Sequence, residues 1–249
     1  MGLVHTQGVV LRHTNIKESD RMLTVFSPSH GKLSVLAKGC RKPKSRFLSI
    51  SQPFCYGDIV LKQYRDIYIL TQAEVINSYF DLRSDLERLS LASYLLHITE
   101  DAISPGEGNP QLFTLLLKAL SLMSFGQSNP LDIVLIYELK LLDCLGYRPS
   151  LDRCVVCEQD VGGSNSFSLA GGLVCGNCNG QAGDLLLDPV TLNAMAIILD
   201  MDIGQLAKQK LMAGVRDQLN KLMPAYIREK LEKEYPSRDF IDRFLTQHA

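Results

Sequence analysis

The sequence contains no apolar run long enough to cross a bilayer, and its first residues lack the charged, apolar and small-residue segments of a secretory leader. Its seven cysteines are an odd number, which does not suit a framework of paired disulfides. Thiols of this kind are typical of a reducing compartment. We therefore expect a cytoplasmic chain with no membrane partner.

Motifs that would support catalysis are also missing. There is no GxxxxGK[ST] phosphate loop and no GxSxG nucleophile elbow, and the five histidines are dispersed. His97 precedes Glu100 by three positions, which could form half of a metal site but is more typical of a helix surface or a satisfied core group. The His-x-Glu and Pro-Cys-x-x-Cys signature of zinc deaminases is absent. The sequence predicts a protein that is not an enzyme, and it disfavours a metal-dependent hydrolase.

Two Cys-x-x-Cys pairs, separated by 17 residues, are the most specific pattern present: Cys154, Cys157, Cys175 and Cys178. Two residues between ligands let both thiolates of a pair face one point, and the intervening stretch suits a short hairpin. Disulfides of a secreted protein are the alternative interpretation. The spacing predicts one zinc ion, and four thiolates leave no coordination position for water, so we expect a structural site.

The formal net charge of −1 hides an asymmetry along the chain. Residues 1–80 carry 11 Lys and Arg against 5 Asp and Glu, a balance of +6, whereas the other 169 residues have a balance of −7. A basic segment within a neutral chain suggests that this segment meets a polyanion.

Residues 1–80 have the pattern of five short strands and one long loop, from residue 39 to 52. The strands are predicted at Val4–His13, Arg21–Ser27, Lys32–Lys38, Asp58–Tyr64 and Tyr68–Val75. Gly8 is a candidate bulge in the first strand. The pattern favours a small Greek-key barrel such as an OB-fold, and an SH3-like barrel fits the strand count almost as well.

From residue 84 the apolar period becomes helical, beginning with the capping-box pattern of Ser84 and Glu87. Helices are predicted at 84–103, 111–125, 130–145, 189–199, 204–212 and 215–233, with a short one beginning at Ser237. The predicted fold is therefore α+β and multidomain. It consists of an OB-fold at 1–80, a helical domain in two parts at 81–150 and 184–249, and an inserted zinc module at 151–183. That module is too small to bury a useful core, so the metal would fold it.

The long loop concentrates five cations in nine residues: Lys38, Arg41, Lys42, Lys44 and Arg46. Gly39 and Pro43 keep it out of regular structure, so we expect an extended backbone with splayed cations. Such cations contact phosphates, and binding should weaken steeply with salt and discriminate little between sequences. A solvated loop, or a surface for an acidic protein, is the alternative. Further cations could extend the surface: Arg12, Lys17, Arg21, Lys62 and Arg65.

Five aromatic side chains of the barrel region are available for stacking on bases: Phe47, Phe54, Tyr56, Tyr64 and Tyr68. Barrel core is the simpler interpretation of each. A barrel with a concentrated basic loop favours nucleic-acid binding over other functions.

Several short motifs have a characteristic order: Gln7–Arg12, Glu18–Arg21, His30–Leu33, Ala37–Gly39, Arg41–Arg46, Thr71–Glu74, Leu145–Pro149, the four cysteines, and Ser237–Phe240. In this order and spacing the chain resembles the RecO family of bacterial recombination mediators from end to end. The resemblance implies an OB-fold, a helical domain and an inserted zinc module in a non-catalytic, nucleoid-associated protein of recombinational repair.

The same resemblance implies several partners. Family members bind single- and double-stranded DNA and anneal complementary strands. With RecR, and often RecF, they load RecA onto strands coated by single-stranded-DNA-binding protein. We expect the acidic C-terminal tail of that protein to need cations beside apolar helices, and three are candidates: Lys118, Lys140 and Arg148. Ordinary solvated helix cations are the alternative. A competing hypothesis is a zinc-ribbon adaptor whose basic loop binds an acidic protein.

Overall fold

The chain folds into two compact units, Met1–Phe125 and Gly126–Ala249. The structure, a computed structural model, describes residues 2–126, 128–178 and 184–238. The short helix predicted from Ser237 therefore lies largely outside the described residues, as do Asp239 and Phe240. Within the described part of the chain, no helix combines the length and apolar character needed to cross a membrane.

The first unit begins with a closed five-stranded barrel. Its strands are β1 (Leu3–Asn15), β2 (Arg21–Ser27), β3 (Gly31–Ala37), β4 (Tyr56–Tyr64) and β5 (Ile67–Asn77). Their order around the barrel is β1-β2-β3-β5-β4, with β4 returning to β1, and the β3–β5 pair is parallel while the other pairs are antiparallel. This is an OB-like barrel, which confirms the predicted fold class rather than the SH3-like alternative.

Alternation of apolar and polar residues along the strands fills the barrel interior. Leu23, Val25, Leu33, Val35 and Leu61 are all at most 3% exposed. Because successive strand side chains point to opposite faces, the residues between them lie on the outer surface.

Gly8 is not the bulge that the sequence suggested. The register of β1 shifts between Val10 and Arg12 instead. Gly8 pairs with Gly57 of β4, and a Cβ at Gly8 would lie 2.5 Å from Cγ1 of Val25. Glycine is favoured there because the side chains of Val25 and Ile59 fill the space that a Cβ would occupy.

A 3₁₀ turn at Phe80–Ser84 leads into two helices of the same unit, α1 (Leu86–Ala102) and α2 (Pro110–Phe125). The N-cap of α1 is Asp85, whose Oδ1 accepts hydrogen bonds from the backbone N–H groups of Glu87 and Arg88. Ser84 instead donates its hydroxyl to the carbonyl of Asp81, so the predicted capping box is wrong by one residue. An aspartate at N-cap can satisfy two N–H groups that the first helical turn leaves open.

The second unit contains α3 (Pro130–Cys144), α4 (Pro189–Asp200), α5 (Ile203–Leu206) and α6 (Ala213–Leu231). Between α3 and α4 lies a three-stranded sheet of β6 (Ser166–Ser168), β7 (Gly172–Val174) and β8 (Leu185–Leu186), in the order β7-β6-β8. Asn129 caps α3 as predicted. The helix predicted at 204–212 ends at 206, because the next residues offer no apolar face and Lys208, Gln209 and Lys210 are exposed.

Two ion pairs with buried carboxylates hold the second unit together. Glu138 of α3 is fully buried and accepts from Arg238 Nε at 2.9 Å, and Arg238 is itself 2% exposed. Asp132, also on α3, accepts from Arg216 of α6 and from the backbone N–H of Leu211. Each pair joins a distant segment to α3, so both are expected to fix the packing of this unit.

Candidate nucleic-acid interface and metal centre

The basic loop, residues 38–46, runs through successive turns. The backbone N–H groups of Lys42, Ser45 and Leu48 each donate to the carbonyl three residues earlier. The predicted extended backbone is therefore wrong. The cause is apolar: Cys40, Phe47 and Ile50 are buried in the barrel core, so the chain must fold back against the barrel.

The turn between β1 and β2 anchors the start of this loop. Asp20 Oδ1 accepts from the backbone N–H of Gly39 at 2.7 Å, and the Ser19 carbonyl accepts from the N–H of Arg41 at 3.0 Å. The hydrogen bond from Gly39 is the main reason that the pKa of Asp20 lies below its ordinary value. Sequence reasoning missed Asp20 as a positioning residue, although Glu18–Arg21 was one of the recognised motifs.

The five cations of the loop are all exposed: Lys38, Arg41, Lys42, Lys44 and Arg46. Arg41 donates to the carbonyl of Lys17, and Arg46 donates to the carbonyl of Thr71 on β5 while lying 4.8 Å from the centre of the Phe47 ring. Within the described residues, none of the five forms an ion pair with a carboxylate. The loop thus presents exposed positive charge on an anchored backbone.

Arg12 and Arg21, which were expected to extend this surface, are held by other groups. Arg12 makes a two-pronged contact with both carboxylate oxygens of Glu100 on α1, at 2.8–3.1 Å. Arg21 donates to the carbonyl and hydroxyl of Ser51 and to Asn15 Oδ1. Glu100 offsets the charge of Arg12, and Arg21 ties residue 51 to β2.

The aromatic side chains divide sharply. Phe47 and Phe54 are buried, as expected for barrel core, and Tyr68 is half-buried against that core. Tyr56 is half-buried too, and its hydroxyl donates to Gln7 Oε1. Tyr64, at the end of β4, is 46% exposed. Of the five, Tyr64 has the ring most open to solvent.

The four cysteines of the two pairs converge, with all four Sγ atoms within 4.8 Å of one another. The Sγ atoms of Cys157 and Cys175 are 3.7 Å apart. Four thiolates around one zinc ion, with bonds of about 2.3 Å, place their sulfur atoms about 3.8 Å apart. The donor set and its spacing therefore fit a metal ion, and the cluster could hold one.

Short β-turns and the three-stranded sheet position these thiols. Glu158, in the left-handed conformation (φ 61°), donates its N–H to the carbonyl of Cys154 and closes the first knuckle. The N–H of Cys178 donates to the carbonyl of Cys175 and closes the second. Gly172 (φ 145°) starts β7, where a Cβ would lie 2.2 Å from the Ser150 carbonyl oxygen. Only glycine allows β7 to approach the segment that leads into the first knuckle.

The crowded thiols do not ionise alike. Backbone N–H donors, first that of Cys175, lower the pKa of Cys154 to about 6. Contact with the Cys157 thiol is the main cause that raises the pKa of Cys178 to about 12. All four thiols could be ionised together only with a cation between them, as a bound metal would supply.

The three cations expected to meet an acidic tail lie in different units. Lys118 is exposed on α2 of the first unit. In the second unit, Lys140 donates to the Leu199 carbonyl at 3.3 Å, and burial lowers its pKa. Arg148 contacts the carboxylates of Asp143 and Asp200. Lys140 and Arg148 thus both reach the C-terminal end of α4, where positive charge is favourable.

His97 and Glu100 do not share a site. His97 lies 3.9 Å from Asp101, and Glu100 is bound by Arg12. Among the described residues, the four cysteines form a group of side chains that could hold a metal ion.

The described residues thus form an OB-like barrel with an anchored basic loop, followed by helices and a four-cysteine module that could hold a metal ion. Family models agree with it: "Recombination protein O N terminal" matches residues 1–79, and "Recombination protein O C terminal" matches residues 83–239. The chain belongs to the RecO family.

Curated relatives agree along the whole length. The chain is 35% identical to the DNA repair protein RecO of Acetivibrio thermocellus over 97% of both chains. It is 34% identical to the protein of that name from Thermoanaerobacter sp., over 97% of this chain and 98% of the relative. It is 36% identical to the DNA repair protein RecO of Alkaliphilus metalliredigens, over 93% of this chain and 95% of the relative.

Proposed function

We propose that this chain is a non-enzymatic recombination mediator of DNA repair that binds single- and double-stranded DNA and promotes annealing of complementary strands. The observation that carries the proposal is the basic loop, whose five exposed cations are held on an anchored backbone without a carboxylate partner. Membership of the RecO family, whose relatives are named DNA repair proteins, supports it. The expected location is the cytoplasm, in association with the nucleoid.

The mechanism follows from charge. Two DNA strands repel each other through their phosphates, and cations that bind both backbones reduce that repulsion. Base pairing then reads the sequence, so the protein needs no contacts to base edges. A loop with fixed turns suits this task, because its cations keep their positions whichever sequence is bound.

The metal is proposed to be one structural zinc ion held by Cys154, Cys157, Cys175 and Cys178. A bound ion would cross-link the two knuckles and neutralise their thiolates. With four thiolates present, no position remains for a reacting water.

Metal content tests this assignment. The purified chain should contain one zinc per molecule, measured by mass spectrometry of the metal, and Cys157→Ser should lower that value and the thermal stability of the second unit. The matched control is Cys144→Ser, a cysteine outside the cluster, which should retain one zinc. Native protein that holds no metal after preparation with zinc would contradict the site.

Partners are proposed from the family: RecR, often RecF, and the acidic tail of single-stranded-DNA-binding protein, with RecA loading as the outcome. In the second unit, Lys140 and Arg148 lie near the end of α4, and Ile197 and Met201 of that region are exposed. An acidic tail could replace Asp143 and Asp200 at Arg148 and place an aromatic group on these apolar side chains.

An annealing assay tests mediator activity and tail recognition together. The chain should accelerate pairing of bare complementary strands, and of strands coated by single-stranded-DNA-binding protein only when that protein keeps its tail. Lys140→Ala with Arg148→Ala should abolish the second effect and leave the first unchanged, whereas Lys118→Ala tests the cation of the other unit. No acceleration on bare strands would refute the mediator function and leave the acidic-protein adaptor.

A further inference from the structure

The hairpin between β4 and β5 has an unusual tip. Tyr64 pairs with Ile67, so the turn consists of Arg65 and Asp66 alone. Arg65 adopts the left-handed conformation, with φ of 52°. Residues other than Gly, Asn and Asp are disfavoured there, because their Cβ atom comes too close to the following carbonyl oxygen. A strained arginine at an exposed turn suggests that its side chain is required at that place.

Tyr64 is the aromatic partner of this arginine. The Arg65 guanidinium lies 5.6 Å from the centre of the Tyr64 ring, within the range of a cation–π contact. Lys62 precedes on the same outer face of β4 and is exposed. The tip therefore combines an open aromatic ring with two cations, which is the combination that single-stranded nucleic acid binds.

The hairpin lies within reach of the basic loop along one strand. Arg46 of the loop donates to the carbonyl of Thr71, and Tyr64 pairs with Ile67, four residues earlier on β5. Four strand residues span roughly 13 Å. A single strand bound at Arg46 would therefore reach Tyr64 within a few nucleotides.

We propose that Tyr64 stacks on an unpaired base of a single strand whose phosphates are bound by the basic loop, while Arg65 supports the ring and contacts the backbone. This inference rests on the proposed DNA binding and adds to it a base-contacting site. A paired base has both faces covered inside a duplex, so the Tyr64 ring contributes to binding of single strands and not of duplexes.

The test compares two ligands of equal length and charge: an oligothymidylate and the corresponding abasic oligomer, which keeps the phosphates and lacks the bases. Tyr64→Ala should weaken oligothymidylate binding about 5- to 160-fold, the range expected when one base loses its aromatic partner. Binding of the abasic oligomer should not change. Tyr64→Phe should bind both ligands as the native chain does, because the ring is retained.

Phe80→Ala is the matched control. Phe80 is 69% exposed and has the Arg83 guanidinium 5.7 Å from its ring centre, but Arg83 donates to the carbonyls of Pro53 and Ser78, and Asp81 follows. The Phe80→Ala variant should bind both oligomers as the native chain does. Equal loss of both ligands in Tyr64→Ala, or no loss of either, would overturn the stacking site. Failure of the native chain to bind either ligand would instead refute the proposed function.

Discussion

Replacing Lys38, Arg41, Lys42 and Lys44 together by alanine should lower the affinity for oligonucleotides and flatten its dependence on salt. Each lost phosphate contact changes the slope of log K against log salt by about 0.7 for single strands and 0.9 for duplexes. If all four cations contact phosphates, the slope should fall by roughly three units for single strands and nearly four for duplexes. Fluorescence anisotropy at several salt concentrations measures it.

The matched control removes the same charge from the second unit, by substituting four exposed lysines with alanine: Lys208, Lys210, Lys221 and Lys233. This variant has the same net charge as the loop variant, so a difference between them reports position and not total charge. An unchanged slope in the loop variant would show that DNA binds elsewhere. If the loop variant also lost binding to an acidic protein partner while its DNA binding stayed unchanged, the adaptor hypothesis would be favoured.

Arg238→Ala should lower the free energy of unfolding of the second unit by about 3–5 kcal/mol, because it leaves the Glu138 carboxylate buried without its principal counter-charge. The two groups are 2% and 0% exposed, and their Nε–Oε1 distance is 2.9 Å. Arg238 also donates to Asn220 Oδ1, so α6 loses a contact as well. Urea denaturation followed by circular dichroism measures the change.

An exposed ion pair of the same unit provides the comparison. Arg228 and Glu234 are 62% and 80% exposed and 3.8 Å apart, so Arg228→Ala should cost less than about 1 kcal/mol. Combining Arg238→Met with Glu138→Leu should recover much of the loss, since neither charge of this pair then remains buried. If Arg238→Ala were as mild as Arg228→Ala, the buried pair would not stabilise this unit.

The regular elements could be predicted closely because they depend on local patterns. Arg21–Ser27 is a short, mainly apolar segment that contains Thr24, Val25 and Phe26, and β2 has these same bounds. Asn129-Pro130 marks the start of α3 because the cap and the proline act within one turn. The four cysteines were found for the same reason, since two residues fix the geometry of each knuckle.

The structure differs from the sequence-based predictions where contacts between residues far apart in the chain determine the local structure. The basic loop is turned and not extended, because Cys40, Phe47 and Ile50 find partners in strands far along the chain. The sequence could not show that Arg12 contacts Glu100 of α1, which lies 88 residues further along the chain. Lys118 and Lys140 carry the same charge on similar apolar helices, and only the fold shows that they belong to separate units.

The buried apolar residues that hold the basic loop against the barrel also affect the expected rate of association with a strand. A disordered cationic segment must become ordered when it captures a strand, and that ordering weakens the complex. Here the barrel interior has already immobilised Cys40, Phe47 and Ile50, so the encounter begins with a preorganised surface. Capture of a strand should then be limited by diffusion and electrostatic attraction and not by rearrangement of the protein.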